Sequence, residues 1–344
     1  MAVIDKYFKI AVAKKASDLH LVVGKPPILR IDGELYEIEK EPILDAKTVE
    51  RLVFEILMEN QKEKFIRTRE LDFSHQIGDG SRFRANAHWE KDNVGLVARV
   101  ISRKIPTMEE LLLPPVVYSM TRAKQGLILV TGPTGCGKST TLAAMINLIN
   151  HEIKAHIVTL EDPIEFIYEP IKSIIKQRQL GSDILTFASG LKHVLRQDPN
   201  VIMVGEMRDL ETISTTLTLA ETGHLVLATL HTHNAGQTID RIVDVFPPYQ
   251  QPQIRLQLSL SLNGIISQHL LPRKGGGRIA IREILVNTPA IANIIRENKI
   301  PQIKTVIQTS SEEGMISIEQ DLKRLAEEGY IDKATAEKYS VLLP

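Results

Sequence analysis

Residues 131–142 read TGPTGCGKSTTL. The skeleton is Gly132, four residues, then Gly137, Lys138 and Ser139. That spacing has a mechanism. Glycines let backbone N–H groups curl around phosphate oxygens, and the following helix adds the positive end of its dipole. The lysine reaches the β- and γ-phosphates of a nucleotide, and the hydroxyl ligates Mg2+. Here the motif follows the apolar run 127–131. It opens a stretch with Leu142, Met145, Ile146 and Ile149 on one helical face, the context such a loop requires. ATP and Mg2+ are therefore the expected cofactors. The expected nucleotide contacts are Gly132, Pro133, Thr134, Gly135, Cys136, Gly137, Lys138, Ser139 and Thr140.

Around the loop, strand-like runs at 127–131, 156–160, 201–205 and 225–230 alternate with helical stretches. That pattern predicts an α/β fold with a parallel sheet and helices on its faces. Residues 211–222 place Ile213, Leu217 and Ala220 on one face and stop at Gly223. From about residue 281 the chain reads as helical to its end.

Upstream, residues 1–103 read as a small α+β domain. A helix is expected over 7–15, and strands over 19–23 and 28–31 around Gly24-Lys25-Pro26-Pro27, with a turn at Asp32-Gly33. Val49, Leu52, Val53, Ile56 and Leu57 predict one helix over 48–65. Residues 82–89 alternate strictly, with Phe83, Ala85, Ala87 and Trp89 opposite Arg82, Arg84, Asn86 and His88. A turn at Lys91-Asp92-Asn93 returns a strand over 94–101. The expected organisation is a domain over 1–103, a Pro-containing linker over 104–118, a nucleotide-binding core over 119–280 and a helical segment over 281–344.

A chain of 344 residues suits about two domains. Lys and Arg number 42, as do Asp and Glu, so no electrostatic footprint for nucleic acid exists. Cys136 is the single cysteine, which excludes an internal disulfide and a cysteine-based zinc site, and fits a reducing compartment. The N-terminal stretch lacks the apolar core of a signal peptide, and no apolar run approaches the roughly 20 residues of a membrane span. A cytoplasmic location is expected, with docking on a membrane protein left open.

Phosphoryl transfer also needs carboxylates at neighbouring strand ends. Residues 158–166, VTLEDPIEF, supply Glu161, Asp162 and Glu165. Residues 201–209, VIMVGEMRD, supply Glu206, placed to polarise an attacking water, with Gly205 where an Asp often stands. The residues alone leave open which carboxylate touches Mg2+. Residues 221–234, ETGHLVLATLHTHN, hold His224, His231 and His233. His231 follows a strand end beside the loop and fits γ-phosphate sensing. His224 begins that strand and reads as partner-facing or hydrogen-bonding. Cysteine and acidic spacing give no support to a zinc site there.

The loop together with TLEDPIEF, LRQDPNVIMVGEMRDLETI and AETGHLVLATLHTHNA resembles the secretion-superfamily ATPases, within them the branch that retracts type IV pili. These stretches correspond to that family's Walker A, Asp box, Walker B and His box. SDLHL, RFRANA and TPAIANIIRE extend the resemblance to both flanks, as does RIDG over residues 30–33. It implies a PAS-like N-terminal domain, a RecA-like P-loop ATPase core and a C-terminal helical segment. It implies a homohexamer with ATP between the two domains, acting on an inner-membrane pilus platform protein from the cytoplasmic side, with a paralogous retraction ATPase as a further partner and no nucleic acid.

The resemblance makes Glu206 the catalytic glutamate and gives roles to His224 and His231. It assigns Mg2+ to Ser139, Glu161 and Asp162, with Glu165 assisting. It sends Arg84 and Arg99 to the γ-phosphate. From the residues alone, these two arginines face each other across a hairpin, where like charges destabilise. Either an anion or a local carboxylate for each would compensate them.

Two positions depart from the family. Cys136 stands where Ser is common, and its thiol at a helix N-terminus is expected to have a lowered pKa. Ala292 stands within the sequence AIANIIRE, where the retraction motif carries Arg. The alternatives within the family are an accessory retraction ATPase and a type II secretion or pilus extension ATPase. Extension motors carry a further N-terminal domain and a four-cysteine zinc insertion, for which this chain lacks the cysteines. A nucleic-acid motor, a small-molecule kinase and a non-hydrolysing scaffold compete on the same core. Neutral charge, the lack of any lid or acceptor-pocket signal, and the intact Lys138, Ser139 and Glu206 set argue against each in turn.

Overall fold

The computed structural model describes residues 2–31, 33–101 and 104–342. Asp32, half of one expected turn, lies outside the described residues. Contacts divide the chain into two compact units. One runs up to Lys104 and includes Glu165–Ile167; the other holds Ile105–Ile164 and the chain from Tyr168 onward.

The first unit contains α1 (Asp5–Ala13), β1 (Asp18–Leu21), β2 (Ile28–Ile31), β3 (Glu34–Glu37), α2 (Ala46–Glu55), α3 (Glu59–Thr68), β4 (Glu70–Gln76), β5 (Arg82–Glu90) and β6 (Asn93–Val100). The six-stranded sheet has the order β3-β2-β1-β6-β5-β4. Every pairing in it is antiparallel. The β5–β6 hairpin turns through Lys91 and Asp92, both left-handed with φ of 48° and 61°. That two-residue geometry matches the strands' own twist. The alternation in β5 works as expected: Phe83, Ala85 and Ala87 are buried and pack with Leu19, Ala98, Phe8 and Phe65.

The single helix expected over 48–65 is two. Asp45 caps the first by accepting from Thr48 N, and the Gln61 side chain accepts from Met58 N to restart the second. Capping therefore overrides a continuous apolar period.

The second unit contains α4 (Pro115–Thr121), β7 (Gly126–Thr131), α5 (Lys138–Glu152), β8 (His156–Glu161), β9 (Ile174–Gln179), α6 (Phe187–Val194), β10 (Val201–Val204), α7 (Leu210–Glu221), β11 (Leu225–Leu230), α8 (Ala235–Asp244), α9 (Gln251–Ser261), β12 (Leu262–Pro272), β13 (Arg278–Val286), α10 (Pro289–Arg296), α11 (Ile303–Thr309), α12 (Ile318–Glu327) and α13 (Lys333–Leu342). Its sheet order is β13-β12-β7-β11-β10-β8-β9. Only the β12–β13 pairing is antiparallel. β7, β10 and β11 are buried along their whole length, which is why they read as unbroken apolar runs. The expected α/β class, with an antiparallel-sheet domain, a parallel ATPase-type sheet and C-terminal helices, holds.

The helical reading from residue 281 starts too early. β13 continues to Val286, paired with β12 from Gly264↔Val286 to Pro272↔Arg278, and the helices begin at Pro289. Arg282 is buried in this strand. Its guanidinium donates to Leu111 O at 2.9 Å and Leu112 O at 3.4 Å, and its backbone N donates to Asp321 Oδ2 at 2.8 Å. One strand residue thus ties the connector and α12 to the sheet edge. Burial pushes its pKa down to about 10, so it stays charged at neutral pH. Among the described residues, no helix is long and apolar enough to cross a membrane.

Candidate active site

The strand order sets the C-terminal ends of β7, β11, β10 and β8 side by side. In open α/β sheets that edge is where ligands bind. Here the four ends carry the phosphate loop, His231, Glu206 and Glu161. The loop needs its glycines. Gly132 has φ of +138°, and a Cβ there would lie 2.2 Å from Gln268 O. Gly137, with φ of +89°, caps α5 and turns the first helical amides toward the loop. Lys138 is buried; its Nζ donates to Gly132 O at 2.7 Å and Pro133 O at 3.1 Å.

Sequence reasoning missed Gln268, which is 0% exposed. Its Nε2 donates to Cys136 O at 2.8 Å, and its Oε1 accepts from Thr141 Oγ1 at 2.9 Å. Thr131 donates to Ser267 Oγ at 2.8 Å. β12 therefore braces the loop from the side. The available signal was the polar run Ser267-Gln268-His269 between the apolar pairs Ile265-Ile266 and Leu270-Leu271, since buried amides are retained where both ends find partners.

His231 and Glu206 lie side by side at the strand ends. His231 Nδ1 lies 3.5 Å from Lys138 Nζ, and its Nε2 lies 3.1 Å from Glu206 Oε1. Lysine only donates, so Nδ1 accepts and Nε2 carries the hydrogen given to Glu206. Arg208, which sequence reasoning left out, places Nε 2.6 Å from the same Oε1. Burial works to raise the Glu206 pKa, but the hydrogen bond and charge of Arg208, together with the hydrogen bond from His231, outweigh it and hold the carboxyl below its usual range. Gly205 has a structural reason as well: a Cβ there would sit 3.1 Å from Leu160 O.

The other expected residues divide. Glu161 is buried, and its Oε1 accepts from Thr159 Oγ1 at 2.7 Å and Gln177 Nε2 at 3.0 Å. Asp162 is exposed, and its charge reaches Arg208. Glu165 groups with the first unit. Ser139 is half-buried at the start of α5. No cluster of three His, Cys, Asp or Glu side chains stands ready for a metal among the described residues.

His224 does not join the phosphate site of its own chain. It precedes β11 while His231 follows it, and its Nδ1 donates to Leu219 O at 3.0 Å. His233 stacks on His269, ring centroids 5.8 Å apart. In the first unit, Arg84 and Arg99 are direct cross-strand partners, and Arg99 Nε donates to Asp18 Oδ1 at 2.9 Å. For Arg99 the local-carboxylate reading is thus realised, while Arg84 is exposed beside it. Cys136 overturns the expected lowered pKa. Burial pushes the thiol up, and the charge of Lys138 does not compensate.

The family model described as type II/IV secretion system protein matches residues 115–275. The type IV pilus retraction ATPase PilT of Pseudomonas aeruginosa is 47% identical over 321 residues, 93% of each chain. The chain belongs to the type II/IV secretion system protein family. Within that family, the type IV pilus ATPase PilU of the same organism is 40% identical over 328 residues, 95% of this chain and 86% of that one. Among solved family structures, a crystal structure of the pilus retraction motor PilT with bound ADP matches with a TM-score of 0.91 at 43% identity. It covers 98% of this chain and 96% of its own.

Proposed function

We propose that this protein is a motor ATPase that couples ATP hydrolysis to retraction of a type IV pilus. The observation that carries the reading is the continuous polar chain Lys138–His231–Glu206–Arg208 at the mouth of the phosphate loop. Likeness to a retraction ATPase over nearly the whole chain supports the direction of the work, and the relative solved with ADP supports nucleotide as the ligand.

Loop amides and Lys138 hold the phosphates. Ser139 and Asp162 are the groups this reading gives to Mg2+, which when bound offsets charge on the β- and γ-phosphate oxygens. Glu161, buried and hydrogen-bonded, orients the strand end beside them. Glu206 takes the proton of the attacking water; Arg208 and His231 occupy its Oε1 and keep it ionised for that task. His231 couples the base to the lysine that senses the γ-phosphate.

A ring of six copies lets Arg84, Arg99 and His224 serve a neighbouring subunit, and the ring works at the cytoplasmic face of the inner membrane on the pilus platform protein. In the motif AIANIIRE, Ile291, Ile294 and Ile295 are buried in the core, which leaves Asn293, Arg296 and Glu297 exposed for partners. Retraction is favoured over extension because the chain has no cysteines for a zinc insertion. Deleting the gene in its host tests the reading. Cells keep surface pili, in excess, and lose twitching; cells without pili would mark an extension motor and end this proposal.

A further inference from the structure

A cavity of about 300 Å3 lies between α8, β13 and the segment leading into α11. None of its lining belongs to the phosphate loop. Ile300, Ile303 and Ile307 form an apolar wall, and Asp240, Glu283 and Lys304 supply the charge. Asp240 is exposed at the mouth, whereas Glu283 is only 7% exposed.

Glu283 is the unusual group. Among the described residues its carboxylate accepts one hydrogen bond, from Ala235 N to Oε1 at 2.8 Å. A buried carboxylate normally finds a cation or several donors, because desolvating the charge is costly. Burial pushes the Glu283 pKa up, opposed by the Ala235 amide, raised further by Glu319 and opposed by Lys304. Lys304 does not neutralise the site, since its Nζ lies 4.0 Å from Glu319 Oε1 and is shared with it. Burial and Asp244 likewise raise Asp240. The lining thus sets two carboxyls, Asp240 and Glu283, against one cation, Lys304, with an aliphatic wall between.

That layout fits a cation on a hydrocarbon stem. Lysine and arginine bury their methylenes against apolar surface and present the charged head to acids. We propose that this cavity receives a lysine or arginine side chain from a basic segment of a partner protein. The stem lies along Ile300, Ile303 and Ile307. The head reaches Glu283, and Asp240 steers it at the entrance. The assignment is independent of the pilus reading above.

The test uses the full chain and a fluorescein-labelled Gly-Ser-Lys-Ser-Lys-Gly peptide, followed by fluorescence anisotropy at low salt. A peptide with glutamates in place of the lysines, free lysine amide and inorganic phosphate are the comparison arms. The lysine peptide binds, and both Asp240→Asn and Glu283→Gln weaken it by about tenfold or more, the size of a lost charge-assisted hydrogen bond. Glu312→Gln, at an exposed site outside the cavity, leaves it unchanged. Gln at 283 still offers an acceptor to Ala235, and thermal melting checks its fold; were that variant to misfold, Asp240→Asn alone decides. Unaltered affinity in Asp240→Asn overturns the proposal. So does equal binding by the glutamate peptide or phosphate, or free lysine amide binding as tightly as the peptide.

Discussion

His231 Nε2 lies 3.1 Å from Glu206 Oε1, and the donor in that contact is fixed by Lys138 on the far side of the same ring. Glu206 and Lys138 are therefore joined through one imidazole, and its tautomer follows from its neighbours.

Replacing Glu206 by Gln keeps the shape of this junction and removes the proton acceptor. Hydrolysis is expected to fall by about 10²–10⁴-fold, the usual worth of a positioned base, while binding of a fluorescent ATP analogue persists. His231→Ala loses less rate. A Glu206→Gln enzyme turning over near the parent rate would take Glu206 out of the base role.

Arg208 should show itself in the pH profile. Burial raises the Glu206 pKa; Arg208 is the first of the influences that bring it below the usual range. The base works only when ionised, so the acid limb of kcat/KM reports its protonation. Arg208→Ala lifts that pKa and moves the acid limb to higher pH, and Arg208→Lys restores part of the shift. Stability follows the same sign: the depressed carboxylate stabilises the fold above its unfolded pKa and loses that contribution as pH falls through the folded one. An acid limb that stays put in Arg208→Ala would count against the contact.

Gln268→Ala strips partners from Cys136 O in the loop and Thr141 Oγ1 in the first turn of α5. The buried carbonyl left without a donor costs about 1–3 kcal/mol. Thermal melting should fall accordingly, and nucleotide affinity with it, because the loop loses its brace. Unchanged affinity would show that the loop holds its shape alone.

Cys136→Ser should leave ATPase activity close to that of the parent. The buried thiol, with its pKa pushed up, should react with iodoacetamide at neutral pH more slowly than free cysteine. Fast labelling of the folded protein would contradict this environment.

The phosphate loop was legible because its chemistry demands fixed spacing, and β7, β10 and β11 because strands buried on both faces admit little but apolar residues. β13 was not, since Ile279, Ile281, Ile284 and Leu285 satisfy neither a clean strand period nor a clean helix period. The break between α2 and α3 was hidden because the apolar positions continue through it, while a side-chain cap decided the matter. Contacts made by tertiary structure were out of reach. Cys136 and Gln268 are 132 residues apart, and Asp18 and Arg99 are 81 apart. No local pattern announces such pairs.

β11 is hydrogen-bonded along both edges, to β7 and to β10, and none of its six residues is exposed. Such a strand has no soft joint; it behaves as a push-rod of about 20 Å. His231 sits at one end and His224 at the other. The two histidines are thus the ends of one buried strand, with no loop between them.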